Sequence, residues 1–295
     1  MTAAAPAFLA IVNPAAGNGA GKRLAPVLAE HFRTAGLRIE VLVTPGPGEA
    51  ARLASEAADD GYDAVIAVGG DGTANEVANG LIGTETALAL YPIGAGNDLA
   101  RGLGYPRRGR ELPAFLAAAR RRRIDVGEVN GRIFVNAAGV GIDGVVAEGV
   151  SGSARIVGPT LGYLAGALGA IATYRPVRMR ATIEGVASDA RQLLIVASNG
   201  PFFGGGMRPA PRADFEDGWL DLTVADEIGR LATLGALMRL YRGTHVNGRT
   251  IRAVRARTIS IELDQPMPVE IDGEILRAAS ITIGIRPQAL AVLTA

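Results

Sequence analysis

Short apolar runs separated by turn residues organise the first 125 positions. Ala7–Val12, Arg38–Val43, Ala64–Val68 and Ala87–Tyr91 each read as a strand of five or six residues, closed by Asn13, Thr44, Gly69 and Pro92. Between them, Arg23–Ala35, Glu49–Asp59 and Thr73–Leu81 carry apolar residues at helical spacing. Such alternation predicts an α/β domain, a parallel sheet covered by helices, with ligands bound at the carboxyl ends of its strands. After a further helix near Leu112–Arg122 the pattern changes. Arg132–Asn136, Val177–Ile183, Leu193–Ser198, Trp219–Val224, Arg257–Leu263 and Ser280–Ile285 are strand-like, many with period-two alternation, and few helices interrupt them. This half reads as a mainly antiparallel β-sandwich or barrel. The boundary falls near Arg123–Asp125, giving domains over 1–124 and 125–287. The tail, 288–295, contains the run Gln288–Leu293, expected to pack back on the first domain.

One stretch tests the reading of a chain without a membrane span. Ile156–Tyr174 contains no charged residue. Pro159 marks a helix start, so the helix is Thr160–Tyr174, about 22 Å long at ~1.5 Å per residue, against a hydrocarbon core of about 30 Å. Gly162, Gly166 and Gly169 read as close-packing positions within it. Met1–Pro14 lacks a basic n-region and a cleavage pattern, so it reads as a first strand and the protein as cytoplasmic.

Composition narrows the chemistry. Lys and Arg total 30 against 29 Asp and Glu, a formal net charge of +1, and only 5% of residues are aromatic. A phosphate-backbone binder needs a cationic excess and stacking residues, so nucleic acid is not expected as a partner. Cysteine is absent, and the two histidines, His31 and His245, stand apart and read as bystanders. Disulfides, thiol nucleophiles and Cys-based zinc sites are excluded. Any metal is expected to be a hard cation such as Mg2+ held by oxygen.

Glycine, 40 residues in all, clusters just after the strands of the first half. Asn13-Pro14-Ala15-Ala16-Gly17-Asn18-Gly19-Ala20-Gly21-Lys22 nearly makes a Walker A loop, but Ala16 and Arg23 break the pattern. Val68-Gly69-Gly70-Asp71-Gly72-Thr73-Ala74-Asn75-Glu76 joins a strand to a helix. Glycines there let backbone approach a phosphate, and Thr73 with Glu76 has the spacing of a capping box. Asp71 between glycines makes sense if a divalent ion or its waters stand between it and the phosphates. Pro92-Ile93-Gly94-Ala95-Gly96-Asn97-Asp98-Leu99 repeats the strand-to-glycine turn. Three such turns along one sheet edge predict a nucleotide cleft.

The set Gly69-Gly70-Asp71-Gly72-Thr73, Asn75-Glu76 and Asn97-Asp98 resembles the catalytic domain of diacylglycerol-kinase-like lipid kinases. That group includes sphingosine and ceramide kinases and soluble bacterial lipid kinases, with more distant kinship to NAD kinases and phosphofructokinases. Asn199-Gly200, Gly204-Gly205-Gly206, Pro209-Ala210-Pro211, Asp217-Gly218-Trp219-Leu220-Asp221 and Asp272-Gly273-Glu274 extend the resemblance over nearly the whole chain and favour the lipid-kinase branch. The resemblance implies an NAD-kinase/phosphofructokinase-like first domain. Gly69 and Gly70 through Glu76 would hold the ATP phosphates, including Gly72, Thr73, Ala74 and Asn75, with Asn13 in the first loop and Thr44 contacting the nucleotide. Asp71 is grouped with Glu274 as catalytic, and Glu274 would accept the proton of a lipid hydroxyl. Asp217 would ligate Mg2+, joined by backbone oxygens near Asp214 and Trp219. Phosphoryl transfer needs such charge neutralisation, alignment and a base. Where the family usually has Ser or Gly then Lys in the first loop, this chain has Ala16 and Asn18. Where it has Thr and Phe in the third loop, this chain has Ala95 and Leu99, so Ala95 offers the nucleotide only backbone.

The implied activity is an ATP- and Mg2+-dependent phosphorylation of a lipid alcohol, diacylglycerol first. A kinase for NAD or a sugar phosphate, or a nucleotide-binding regulator without turnover, are the alternatives. Gly139-Val140-Gly141-Ile142-Asp143-Gly144 matches a dinucleotide spacing by count, but lacks the later acidic residue and reads as a turn lining the acceptor pocket. Arg120–Arg123 reads as a helix end, and Arg230–Arg242 as a basic amphipathic helix. Both are candidates for contact with an anionic membrane surface at the inner face.

Overall fold

The computed structural model describes the backbone of residues 7–157 and 159–295, and the side chains of 7–149 and 166–295. The chain divides into two compact units, one of residues 1–124 with 288–295, the other of 125–287.

In the first unit the elements are β1 (Ala7–Val12), α1 (Ala16–Arg33), β2 (Arg38–Val43), α2 (Glu49–Asp59), β3 (Ala64–Gly69), α3 (Asp71–Leu81), β4 (Ala87–Pro92), α4 (Asp98–Gly102) and α5 (Leu112–Ala118). β1 pairs parallel with β2 and β3, and β3 parallel with β4, with Ala10 opposite Val41 and Ile66, and Ile66 opposite Ala89. β3 is buried at all six positions, which suits its Val- and Ile-rich run to a strand covered on both faces. β2 leaves Leu42 and Val43 exposed, as an edge strand can.

β5 (Arg120–Val129) follows α5 after a single residue. The four arginines therefore lie in a strand and not at a helix end. Arg121 donates to the Asp63 carbonyl, and Arg123 reaches the Glu85 carboxylate and the Thr84 and Gln288 carbonyls. Extended backbone lets these long side chains reach neighbouring carbonyls, which a frayed helix end would leave in water.

The second unit contains β6 (Arg132–Phe134), β7 (Ala137–Gly141), α6 (Ile142–Val157), α7 (Pro159–Thr173), β8 (Val177–Ile183), β9 (Val186–Ser198), β10 (Leu220–Asp226), α8 (Arg230–Leu240), β11 (Ile251–Ala256) and β12 (Thr258–Ile271). β13 (Glu274–Thr294) begins here and ends in the first unit, where Val292 pairs parallel with Leu88 of β4. Pairing within the second unit is antiparallel. The long strands β9 and β12 each split one edge between two partners, β8 at one end and β7 at the other, while β10 and β13 pair along their opposite edges. Their inner faces enclose a core that includes Phe134, Met179, Ile195, Leu222, Ile261 and Ile281. A second cluster, with Ile142, Val146, Ala167, Leu193 and Ile251, packs helices onto the sheet.

Two expectations change here. Gly139–Gly144 is not a turn, although Ile142 and Asp143 do line a cavity: β7 runs to Gly141, and α6 starts at Ile142. α6 contains Gly144, Gly149 and Gly152, which weaken its helical signal in sequence. Gly169 is not a close-packing position, since a side chain there would meet open space. Gly162 lies outside the described side chains. Among the described residues, no helix is long and apolar enough to cross a membrane.

Candidate functional site

In the first unit, the residues just past β1, β2, β3 and β4 are laced together by backbone. The Asn13 N–H donates to the Val68 carbonyl (3.0 Å), Thr44 N–H to Val12 (2.9 Å) and Ile93 N–H to Gly69 (2.9 Å). The Gly94 N–H adds a bond to Gly69 O at 3.2 Å. A Cβ on Gly94 would overlap the Gly70 Cα, so the loops after β3 and β4 touch through two glycines. In the first loop Gly17, Asn18 and Gly19 all take left-handed conformations, φ 59°, 53° and 80°, before α1 settles into a regular helix.

α3 starts at Asp71, two residues before a Thr73 cap would place it, with Gly70 as N-cap and no side-chain cap. The capping box is therefore not formed. Thr73 Oγ1 accepts from Asn13 Nδ2 (3.0 Å), tying the first and second loops. The Glu76 carboxylate accepts from the N–H groups of Gly48 and Ala50 at the start of α2, at 3.0 and 3.3 Å. Both side chains serve tertiary contacts. The first intrahelical bond of α3 runs from Ala74 N–H to Gly70 O, so the N–H groups of Asp71, Gly72 and Thr73 precede the ladder. They are oriented for an anion at the positive end of the helix dipole. Asp71 Oδ1 accepts from Leu99 N–H at 3.1 Å, which fixes the acid against α4. Asn97 takes φ 52° and closes its own turn through Gly94 O (2.7 Å). Thr44 is buried beside Val12 and Ala95 is exposed. The described first unit thus brings Asn13, Thr44, Gly69 and the Asp71–Glu76 turn to the carboxyl edge of the sheet.

In the second unit, Asp272 (φ 46°) and Gly273 (φ 92°) make the tight turn from β12 to β13. The Asp272 carboxylate accepts from the N–H groups of Asn136 (3.1 Å), Ala137 (3.0 Å) and Val135. Buried Asn199 spans the Asp125 and Val135 carbonyls at 2.8 Å each, bracing the same corner. Glu274, the next residue, is thereby held on a rigid turn with its side chain 60% exposed and Arg132 at 3.8 Å.

The Asp217 carboxylate already has protein donors. One oxygen accepts from Trp219 N–H (3.0 Å), the other from the Arg255 guanidinium, and Asp214 accepts from Glu216 N–H. Arg255 and Arg257 bracket the Trp219 ring at 5.4 and 4.4 Å. Among the described residues no three acidic or histidine side chains converge to hold a metal.

A cavity lies under α6, α7 and α8, lined in part by the Gly139–Gly144 segment. It is apolar, about 760 Å³ including its open mouth, and is lined also by Val146, Ala167, Ile171, Leu193, Phe203, Met207 and Leu237 among others. Asp143 and His245 also face it and are almost wholly buried. The Asp143 carboxylate makes no well-directed hydrogen bond; the N–H groups of Asp143 and Gly144 lie near it without the geometry. Burial pushes this carboxyl up to about 7, and burial with the nearby Arg239 charge lowers the His245 imidazole. Burial and the Asp143 charge raise the Tyr174 phenol. The sequence placed Asp143 in a segment expected to line a pocket, but no spacing rule marked the acid itself as buried and unpaired.

The sign of its effect on stability follows from linkage. The folded state keeps Asp143 protonated up to about pH 7, whereas the unfolded chain ionises it near the ordinary aspartate value of 3.8. The ionisation-linked penalty is therefore absent below about pH 4, grows as pH rises to about 7 and then levels off. Asp143→Asn is expected to raise the melting temperature relative to the parent by more at pH 7 than at pH 5. Melting curves at the two pH values, showing an equal gap at both, would overturn the assignment.

The two-unit fold, with its glycine turn after β3, is matched by kinase families over both units. Residues 7–129 match the family described as "Diacylglycerol kinase catalytic domain", and residues 136–294 match "YegS C-terminal NAD kinase beta sandwich-like domain". The chain is 32% identical over 282 residues to a "Probable lipid kinase YegS-like" of Pseudomonas aeruginosa PAO1, covering 94% of this chain and 91% of that one. It is 29% identical over 272 residues to a "Diacylglycerol kinase" of Bacillus subtilis, covering 90% and 88%. A crystal structure of a diacylglycerol kinase from Bacillus anthracis str. Sterne shares the fold at TM-score 0.77 and 24% identity, covering 100% of this chain and 98% of that one. The chain belongs to the diacylglycerol-kinase-like lipid kinase family. It is a lipid kinase, using a nucleotide as phosphoryl donor.

Proposed function

We propose that this kinase transfers the γ-phosphoryl group of Mg·ATP to the hydroxyl of a neutral lipid alcohol, diacylglycerol to phosphatidic acid being the preferred reading. The observation that carries it is the apolar cavity of the second unit with one buried, protonated acid in its wall. Such a lining suits acyl chains, and a neutral carboxyl can exchange a hydrogen bond with a hydroxyl or ester. A soluble, multiply charged acceptor such as NAD or a sugar phosphate would find no counter-charge there. The names of the relatives point the same way.

The first unit supports the donor side. The free N–H groups of Asp71, Gly72 and Thr73, extended by Ala74, Asn75 and Glu76, are assigned to the ATP phosphates, with Thr44, Asn13 and the Ala95 backbone at the nucleotide. Mg2+ enters as part of the nucleotide substrate, and Asp71 is assigned to its hydration shell. In the reaction the lipid oxygen forms a bond to the γ-phosphorus as the bond to the β–γ bridging oxygen breaks. ADP leaves, and the hydroxyl proton passes to Glu274. The lipid is met from the aqueous side, at the cytoplasmic membrane face.

The test is transfer of labelled phosphate from ATP with Mg2+ to a panel of lipid alcohols in mixed micelles, with NAD and sugar phosphates alongside. A labelled lipid product is expected. Label in NAD or sugar with none in lipid would overturn the proposal.

A further inference from the structure

α8 (Arg230–Leu240) is apolar on two opposite faces. On one face Thr233, Ala236, Leu237 and Leu240 line the cavity described above. On the other, Leu231, Leu234, Met238 and Tyr241 follow the i, i+3, i+7, i+10 rhythm of a single helical stripe, 87%, 38%, 60% and 41% exposed. A helix that covers a core ordinarily turns charged and polar residues outward. Here the outward stripe holds some of the most exposed large apolar residues of the chain, and such a patch marks an interaction surface.

Charge identifies what covers it. From Ile228 to Ile261 the sequence holds no Asp or Glu and seven arginines. Arg252 pairs with Asp226 and Arg255 with Asp217, and Arg257 donates to the Gly218 carbonyl. Arg230, Arg239 and Arg242, which flank the apolar stripe, are exposed and have no carboxylate partner among the described residues. Apolar side chains between unpaired cations form the pattern of a helix lying in the plane of an anionic lipid surface.

We infer that α8 is the membrane-contact helix of this protein: its outer stripe and flanking arginines seat on an anionic phospholipid bilayer while its inner face walls the lipid cavity. The inference rests on the lipid-kinase reading for the use of that cavity. The contact itself stands on the exposed stripe and the charge pattern. One short helix then separates the bilayer from the acceptor pocket, so that an acceptor passing from membrane to pocket meets no other element of that wall.

The experiment measures co-sedimentation of the full chain with vesicles of phosphatidylcholine, with and without 30 mol% phosphatidylglycerol, the composition being about that of a moderately anionic surface. The parent is expected to bind the anionic vesicles and to lose binding as salt rises. The double variant Leu231→Gln, Met238→Gln is expected to bind about tenfold or more weakly. Arg230→Gln with Arg239→Gln and Arg242→Gln should remove the preference for anionic lipid. Melting curves confirm that both variants fold, and phosphorylation of a short-chain, monomerically dissolved diacylglycerol should be unchanged in the double variant. Unaltered vesicle binding by the double variant overturns the inference, as does a parent that ignores anionic vesicles. A parent dimer that the double variant dissolves also overturns it, with a second copy as the occupant. Vesicle binding is read without turnover, so a chain that binds through α8 but phosphorylates no lipid would retire the functional reading alone.

Discussion

Glu274→Gln is expected to lower turnover by about 10²- to 10⁴-fold, the usual contribution of a positioned general base, while nucleotide affinity and melting temperature stay as in the parent. The separation follows from how the turn is built. Asp272, not Glu274, holds the corner through the N–H groups of Val135, Asn136 and Ala137. Glu274 is largely exposed, and its ion pair with Arg132 spans 3.8 Å. Exposed pairs of that kind contribute about 0–1 kcal/mol, so the amide leaves the fold intact and removes only the capacity to take a proton. Label transfer with the micellar acceptor measures turnover, and calorimetric titration with ATP measures affinity. Full turnover in the variant would remove Glu274 from the chemistry.

Gly72→Ala and Gly94→Ala are expected to weaken nucleotide binding about tenfold or more by different routes, and only one of them should harm the fold. A Cβ on Gly94 overlaps the Gly70 Cα and crowds Asn97 Oδ1 at 3.0 Å. The two loops must part, at a cost of about 1–3 kcal/mol of strain, and the bonds from Ile93 and Gly94 to Gly69 O go with them. At Gly72 a Cβ meets nothing within 4 Å. Alanine in the first turn of α3 should be neutral or stabilising by a few tenths of a kcal/mol. The protein itself has no packing need for glycine at 72, so a need revealed by ATP titration comes from the phosphates against that backbone. If Gly72→Ala binds ATP as tightly as the parent, the Asp71–Glu76 turn is not where the phosphates sit.

The strands of the first unit were legible because each is a short apolar run closed by a residue that ends strands. The turn after β3 was legible because consecutive glycines between strand and helix mark a tight strand-to-helix junction. Local rules failed where side chains reach across the fold. Thr73 and Glu76 have capping-box spacing, but Asn13 and the start of α2 compete for them, and the helix starts without either. Arg120–Arg123 follow helix-forming residues and suit a helix dipole, yet Arg121 and Arg123 reach the carbonyls of Asp63, Thr84 and Gln288 from an extended chain. Asp143 and His245 are single polar residues in apolar surroundings, and the cavity they share joins the α6–α7 pair to α8 and to strands far along the chain. α6 escaped notice because Gly144, Gly149 and Gly152 dilute its helical pattern, which leaves packing onto the sheet to stabilise it.

The path of β13 bears on how the protein is made. The first unit is closed by residues 288–295: Ala289 accepts from Gly83 N–H, Val292 pairs with Leu88, Tyr105 donates to the Leu293 carbonyl and Thr294 to the Leu103 carbonyl. Tyr105 and Leu293 are separated by 188 positions. At about 5–20 residues per second, the ribosome takes roughly 10–40 s to supply the closing strand after β4 has emerged. For that interval the apolar edge of β4 stands open on the nascent chain, a template for strands of other chains. The nucleotide unit, although first in sequence, is thus the last to be completed, and its yield in the cell should depend on holding chaperones during synthesis more than on the stability of the finished fold.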